Sequence, residues 1–147
     1  MKLSKEEIVL CGLAAAEGDS YTPVQLQKYF FLVDKNLSNQ IGGPFFDYQP
    51  YDYGVFDSQV YDVAKELGLR GLILIDSNPG TPVRRYSATA IGLKEGSKIL
   101  SQLHPDYKDY MISLSQWVRS LSFSKLVATM YKLYPETAVN SVFRGNE

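Results

Sequence analysis

The chain has almost no cysteine or histidine, one of each in 147 residues. Cys11 alone excludes an intrachain disulfide. With His104 it falls short of the four Cys/His ligands that a structural zinc site uses. Nucleophilic catalysis by a Ser–His or Cys–His pair is reduced to His104, whose neighbours Pro105, Asp106 and Tyr107 read as the start of a helix, so the ring is assigned a structural or solvated role. Cys11 falls on the apolar face of the first amphipathic segment, a core position. Glycine-rich phosphate loops are missing too: Gly42-Gly43 and Gly92/Gly96 lack the lysine or the preceding strand that such a loop needs. Asp47 and Asp52, the one acid pair within an aromatic segment, read as solvated loop carboxylates. These absences predict a non-enzyme without catalytic residues, metal or cofactor.

Charge of one sign is also lacking, with 15 Lys+Arg against 16 Asp+Glu. A net charge of −1 and a pI of about 5.8 leave no basic excess for a nucleic-acid backbone. No apolar run approaches a membrane span, and Met1-Lys2-Leu3-Ser4-Lys5-Glu6-Glu7 lacks the apolar core of a secretion signal. A cytoplasmic location without membrane contact is expected.

What is present is a patterned globular chain, 45% hydrophobic and rich in tyrosine and phenylalanine. It is predicted to be one domain, residues 1–147. Ser4-Lys5-Glu6-Glu7 is a capping box for a first helix running to about Ala16, and Thr22-Pro23-Val24-Gln25 repeats it with proline in the first helical position. Leu26, Tyr29, Phe30, Val33 and Leu37 recur at spacings of three and four, which predicts a second helix with an aromatic stripe. The segment Phe45 to Gly54, dense in Asp, Pro, Gly and rings, reads as a loop or edge strand. A third helix follows over 57–67, with Val60, Val63, Ala64 and Leu67 inward and Gly68 placed to stop it. Residues 72–75 and 83–88 then predict two strands joined by turn formers.

Three helices and a hairpin, in that order, predict a mainly α fold with a small β-hairpin. A winged-helix-like core would occupy residues 4–103, with its wing at about 72–88. Thr89 caps a fourth helix, in which Gly92 and Gly96 imply close packing. After Pro105, the apolar positions from Tyr107 to Leu121 predict the longest amphipathic helix, with Trp117 on its stripe. Phe123 to Tyr131 predict another, so residues 105–143 are additional C-terminal helices packed on the core.

Two surfaces stand out. The aromatic segment and the start of the third helix offer Tyr48, Tyr51, Tyr53, Phe56, Ser58, Gln59 and Tyr61 as contacts to a protein, since tyrosine gives large contact area at small entropic cost. Several of these rings serve equally well as core. Arg84 and Arg85 on the wing, with Lys94, form a local basic patch able to touch nucleic acid, or to act as charged protection of an edge strand. Asp57, Asp62 and Glu66 against Lys65 give the third helix the wrong charge for DNA.

Several stretches together resemble the Panacea, or SocA-like, antitoxin family: Leu26-Gln27-Lys28-Tyr29-Phe30-Phe31-Leu32, Tyr51-Asp52-Tyr53-Gly54-Val55-Phe56-Asp57-Ser58-Gln59-Val60-Tyr61, Leu67-Gly68-Leu69, Tyr86-Ser87-Ala88-Thr89, and Tyr131 with Tyr134-Pro135-Glu136. The likeness spans about residues 5 to 143. It departs at Val55, where the family usually has proline, and at Ala90-Ile91-Gly92, where a charged pair before glycine is typical. The resemblance implies an antitoxin that neutralises a toxin, encoded nearby, by direct contact, or one of the type that delivers its toxin to a protease. The alternative expectation is a winged-helix transcription regulator, a homodimer paired through its C-terminal helices, with Arg84 and Arg85 on phosphate.

Overall fold

The computed structural model describes residues 1–77, 80 and 83–143. The chain is mainly α with small antiparallel sheets. Both capping boxes form. Ser4 and Glu7 close the start of α1 (Lys5–Ala14), and Thr22 and Gln25 that of α2 (Pro23–Ile41). Helix α1 stops two residues earlier than expected, because the chain turns out through Glu17 at φ 55° and Gly18 at φ 98°. It is also not amphipathic as expected, since every residue from Ile8 to Ala14 is buried.

The aromatic segment is a hairpin: β1 (Gln49–Tyr51) pairs antiparallel with β2 (Gly54–Phe56), and Asp52 and Tyr53 form its turn. Gly54, at φ 107°, supplies the left-handed backbone that closes it. Asp57 caps α3 (Ser58–Leu69) through the Gln59 amide. Gly68, expected to end this helix, lies within it. The reversal falls instead on Gly71 at φ 77°.

The wing is β3 (Ile73–Asp76) paired with β4 (Arg85–Ala88), a register shorter than the expected 72–88 span. Four of the predicted turn formers, Asn78, Pro79, Thr81 and Pro82, lie outside the described residues. Tyr21 adds a bridge to β4: its amide donates to the Tyr86 carbonyl and its carbonyl accepts from the Tyr86 amide, each at 2.9 Å. The connection before α2 is thereby tied to the wing.

Thr89 caps α4 (Ala90–Gln102), whose glycines do what their spacing implied. A Cβ on Gly92 would lie 1.8 Å from the Leu72 carbonyl oxygen, and one on Gly96 would lie 2.6 Å from the Ala14 methyl. Bare backbone is what lets α4 lie against α1 and β3. His104 caps α5 (Pro105–Ser120), its Nδ1 accepting from the Asp106 amide at 3.1 Å. Helix α5 is shorter than α2, against expectation, and Trp117 points outward at 37% exposure, off the stripe it was assigned to. Helix α6 (Phe123–Leu133) and a short 3-10 turn (Pro135–Ala138) complete the order.

Helices α5 and α6 pack on α2, and α3 and α4 on α1. In the middle of α2 every residue from Leu26 to Val33 is buried, Gln27 and Lys28 included. The stripe pattern predicted one inward face. Covering by helices, hairpin and wing produces burial all round.

Candidate functional site

The buried polar pair of α2 organises the surface above it. Gln27 bonds the backbone of Asp57 at both ends of its amide: its Nε2 donates to the Asp57 carbonyl at 3.0 Å and its Oε1 accepts from the Asp57 amide at 3.1 Å. This pair of hydrogen bonds pins the start of α3 to α2. Lys28 is different. Its side chain runs beneath the hairpin turn and Nζ donates to the Tyr53 carbonyl at 2.6 Å and, at a longer 3.4 Å, to Val55. It is 3% exposed and forms no ion pair among the described residues. Burial alone pushes the ammonium down from 10.5 to about 8. Gly54 makes room for it, because a Cβ there would stand 2.9 Å from Nζ.

Two rows of rings rise on either side. Tyr51 stacks on Phe56 at 5.4 Å, Phe56 meets Tyr61 at 5.7 Å, and Tyr61 stacks on Tyr86 of the wing at 5.9 Å. Tyr53 sets its edge against Phe123 of α6 at 5.1 Å, and Phe123 meets Phe143 at 6.3 Å. The Tyr61 hydroxyl donates to the Pro23 carbonyl at 3.2 Å, and burial pushes that phenol up to about 12. A pocket of about 170 Å³ lies between the rows, lined by Val24, Gln27, Lys28, Tyr51, Tyr53, Phe56 and Tyr61. Through Val24 it adjoins a larger apolar cleft of about 470 Å³ formed by Thr22, Pro23, Val83, Arg84 and Phe123. Tyr51 (58% exposed), Tyr53 (43%), Val83 (44%) and Phe123 (45%) leave apolar surface open along the groove.

Four of the seven aromatic-segment candidates therefore come together: Tyr51, Tyr53, Phe56 and Tyr61. Ser58 and Gln59 are exposed, but they face another cleft with Lys5 and Asp47, where Lys5 Nζ donates to Gln59 Oε1 at 2.6 Å. Tyr48 turns the other way. Its ring is set edge-on against Phe31 at 5.4 Å and Phe46 at 6.0 Å, and its buried hydroxyl has no hydrogen-bond partner among the described residues. Arg84 lines the larger cleft, Arg85 reaches the Ser20 hydroxyl only at 3.5 Å, and Lys94 is exposed on α4. Lys28, Val24 and Phe123 escaped the sequence reading. The available signal was the apolar run on both sides of Gln27-Lys28, which implies burial of whatever stands inside it.

A second polar cluster lies in the core. The Tyr21 hydroxyl donates to the Gly12 carbonyl at 2.7 Å and takes the Ser115 hydroxyl at 2.6 Å. Ser115 accepts from Arg119 Nε at 2.9 Å, and Arg119 pairs with Asp19 at 3.0 Å. These bonds tie α1, the approach to α2 and α5 together, so the cluster reads as structural. Asp47 and Asp52 are both exposed, and the Asp47 carboxylate accepts from the Gln49 amide.

Fold and site together define a mainly α protein with a helix–helix–helix–hairpin core and an aromatic groove over a buried lysine. Among the described residues no three His, Cys, Asp or Glu side chains cluster as metal ligands, and no helix is long and apolar enough to cross a membrane. No family model, curated protein or solved structure matches the chain, so its chemistry must be read from its own residues.

Proposed function

We propose that the protein is a non-catalytic binding protein that masks a protein partner by direct contact, as the resemblance to antitoxins implies, and that the groove between the β1–β2 hairpin and the wing holds that partner. The observation that carries this reading is the outward pair Tyr51 and Tyr53, which flank a pocket continuous with further exposed apolar surface at Val83 and Phe123. Contiguous apolar surface of this kind, rich in tyrosine, is characteristic of interaction sites. The test is co-expression with the product of the neighbouring reading frame. The wild-type chain should co-purify with it and relieve its toxicity. The Tyr51→Ser/Tyr53→Ser variant should lose both while keeping its melting temperature. Persistence of binding in that variant refutes the assignment of the groove.

Duplex DNA is the second reading, supported by the exposed Arg84, Arg85 and Lys94. Against it, α3 exposes Asp62 and Glu66 beside Lys65, a surface that phosphates repel. Salt-dependent duplex binding, abolished in Arg84→Ala/Arg85→Ala with the fold intact, would make it the better account.

A further inference from the structure

Lys28 is a buried cation whose surroundings are incomplete. An ammonium has three hydrogens to donate. Two point to carbonyls, at 2.6 and 3.4 Å, and neither acceptor carries a full charge. No acid of the hairpin or of the start of α3 forms an ion pair with it. The Asp57 carboxylate accepts from the amides of Asp47 and Gln59, and Asp47 takes Gln49. Of Asp52, it is the carbonyl that accepts, from Val142 and Ser141. Gln27, which also lines the pocket, is a neutral amide held to Asp57 at both ends and brings no charge.

The space beside Lys28 is open. About 170 Å³ of pocket lies between Tyr51, Phe56 and Tyr61 on one side and Tyr53 on the other, enough for a short acidic side chain. Buried charges are ordinarily paired, because a carboxylate in contact recovers the solvation that the ammonium has lost, and in low dielectric it does so strongly. Among the described residues no carboxylate pairs with this ammonium, and the residue that carries it lines the pocket.

We propose that Lys28 anchors an aspartate or glutamate side chain of the partner's docking segment, which enters the pocket between Tyr51 and Tyr53 with apolar residues on either side resting against the rings. This rests on the reading that the groove holds a protein. The acid forms a charge-assisted bond with the free direction of Nζ, and the rings exclude water from it. Specificity follows from the same arrangement: a segment with an amide or apolar residue at that position leaves the ammonium buried and unpaired.

The test needs no variant at first. A set of acetylated, amidated tripeptides, with Glu or Asp between Leu, Ile or Phe, is titrated into the full chain alongside the matching Gln and Asn peptides. Backbone amide shifts of Tyr53, Gly54 and Val55 report the binding. At least one acidic peptide should bind about tenfold or more tightly than its amide counterpart, with the perturbation centred on those three residues. The preference should vanish in Lys28→Met and persist in Lys5→Ala, a lysine outside the groove. Equal affinities for acid and amide peptides throughout the set, or an acid preference that survives Lys28→Met, overturns the proposal. Should Lys28→Met fail to fold, the comparison of acid with amide peptides on the wild-type chain still decides. If no peptide shows the preference while the Tyr51→Ser/Tyr53→Ser variant loses its partner, the anchor is wrong and the groove reading stands. If that variant keeps its partner, the groove reading itself has failed.

Discussion

Tyr21 and Tyr86 exchange both of their backbone hydrogen bonds, 2.9 Å in each direction, and so join the entrance of α2 to the second strand of the wing. Tyr86 in turn stacks on Tyr61 of α3, which belongs to the ring row on one side of the groove. The wing side of the groove is thus tied to the start of α2, whose Val24 lines the pocket. The Tyr21 side chain does separate work, donating to Gly12 and joining Ser115 in the core. Tyr21→Phe removes only the hydroxyl. It leaves the Gly12 carbonyl and the Ser115 hydroxyl short of a partner, at a cost of about 1–3 kcal/mol. In urea titration the midpoint should fall with the slope unchanged. An unchanged midpoint would mean that the cluster contributes nothing.

Stability should depend on pH through Lys28. Its folded-state value, about 8, lies below the ordinary 10.5. Below pH 8 the ammonium is charged in both the folded and unfolded chain, and its burial cost is constant. Between about 8 and 10.5 the unfolded chain still holds a proton that the folded chain has released, so stability rises with pH. Cys11 and the buried tyrosines, whose values are raised, pull the other way at alkaline pH. The measurement is therefore the difference between wild type and Lys28→Met, which should grow by about 3 kcal/mol from pH 7 to pH 11. Parallel curves would contradict the burial of a charged Lys28.

Cys11 should be inert in the native protein. The residue is fully buried, and burial, with the nearby Glu7 carboxylate adding to it, pushes the thiol from 9.0 up to about 12. Only the thiolate is alkylated, so iodoacetamide at pH 8 should modify the folded chain about a thousandfold more slowly than the urea-unfolded one, followed by mass. Comparable rates would place the thiol at the surface.

Gly92→Ala should destabilise the chain by about 3 kcal/mol or more, despite alanine's advantage of about 1 kcal/mol in a helix. The added carbon meets a backbone oxygen, which cannot move without displacing β3 from α4. Gly18→Ala is the contrast: nothing lies within 4 Å of the new carbon, and only the positive φ of 98° opposes it, at about 1 kcal/mol. Thermal unfolding of the two variants checks the order. A Gly92→Ala chain as stable as wild type would refute the close approach.

What the sequence alone determined is local or periodic. The boxes Ser4–Glu7 and Thr22–Gln25 join residues three apart, so their outcome depends on nothing distant. The order of three helices and a wing follows from apolar spacing and turn formers, and the glycines of α4 announce a close approach without naming Leu72 or Ala14. Tertiary structure decided which side of the packing each chemically similar residue took. Tyr48 and Tyr51 differ little in sequence context, yet the hairpin register turns one toward Phe31 and the other outward. Trp117 fits a buried stripe until α2 is found to be covered by α5 without it. Lys28 shows the difference most sharply. By residue type it belongs in solvent. Its burial comes from the hairpin folding over α2, a contact 25 residues away in sequence, where the Tyr53 carbonyl receives the ammonium that no local pattern could have placed there.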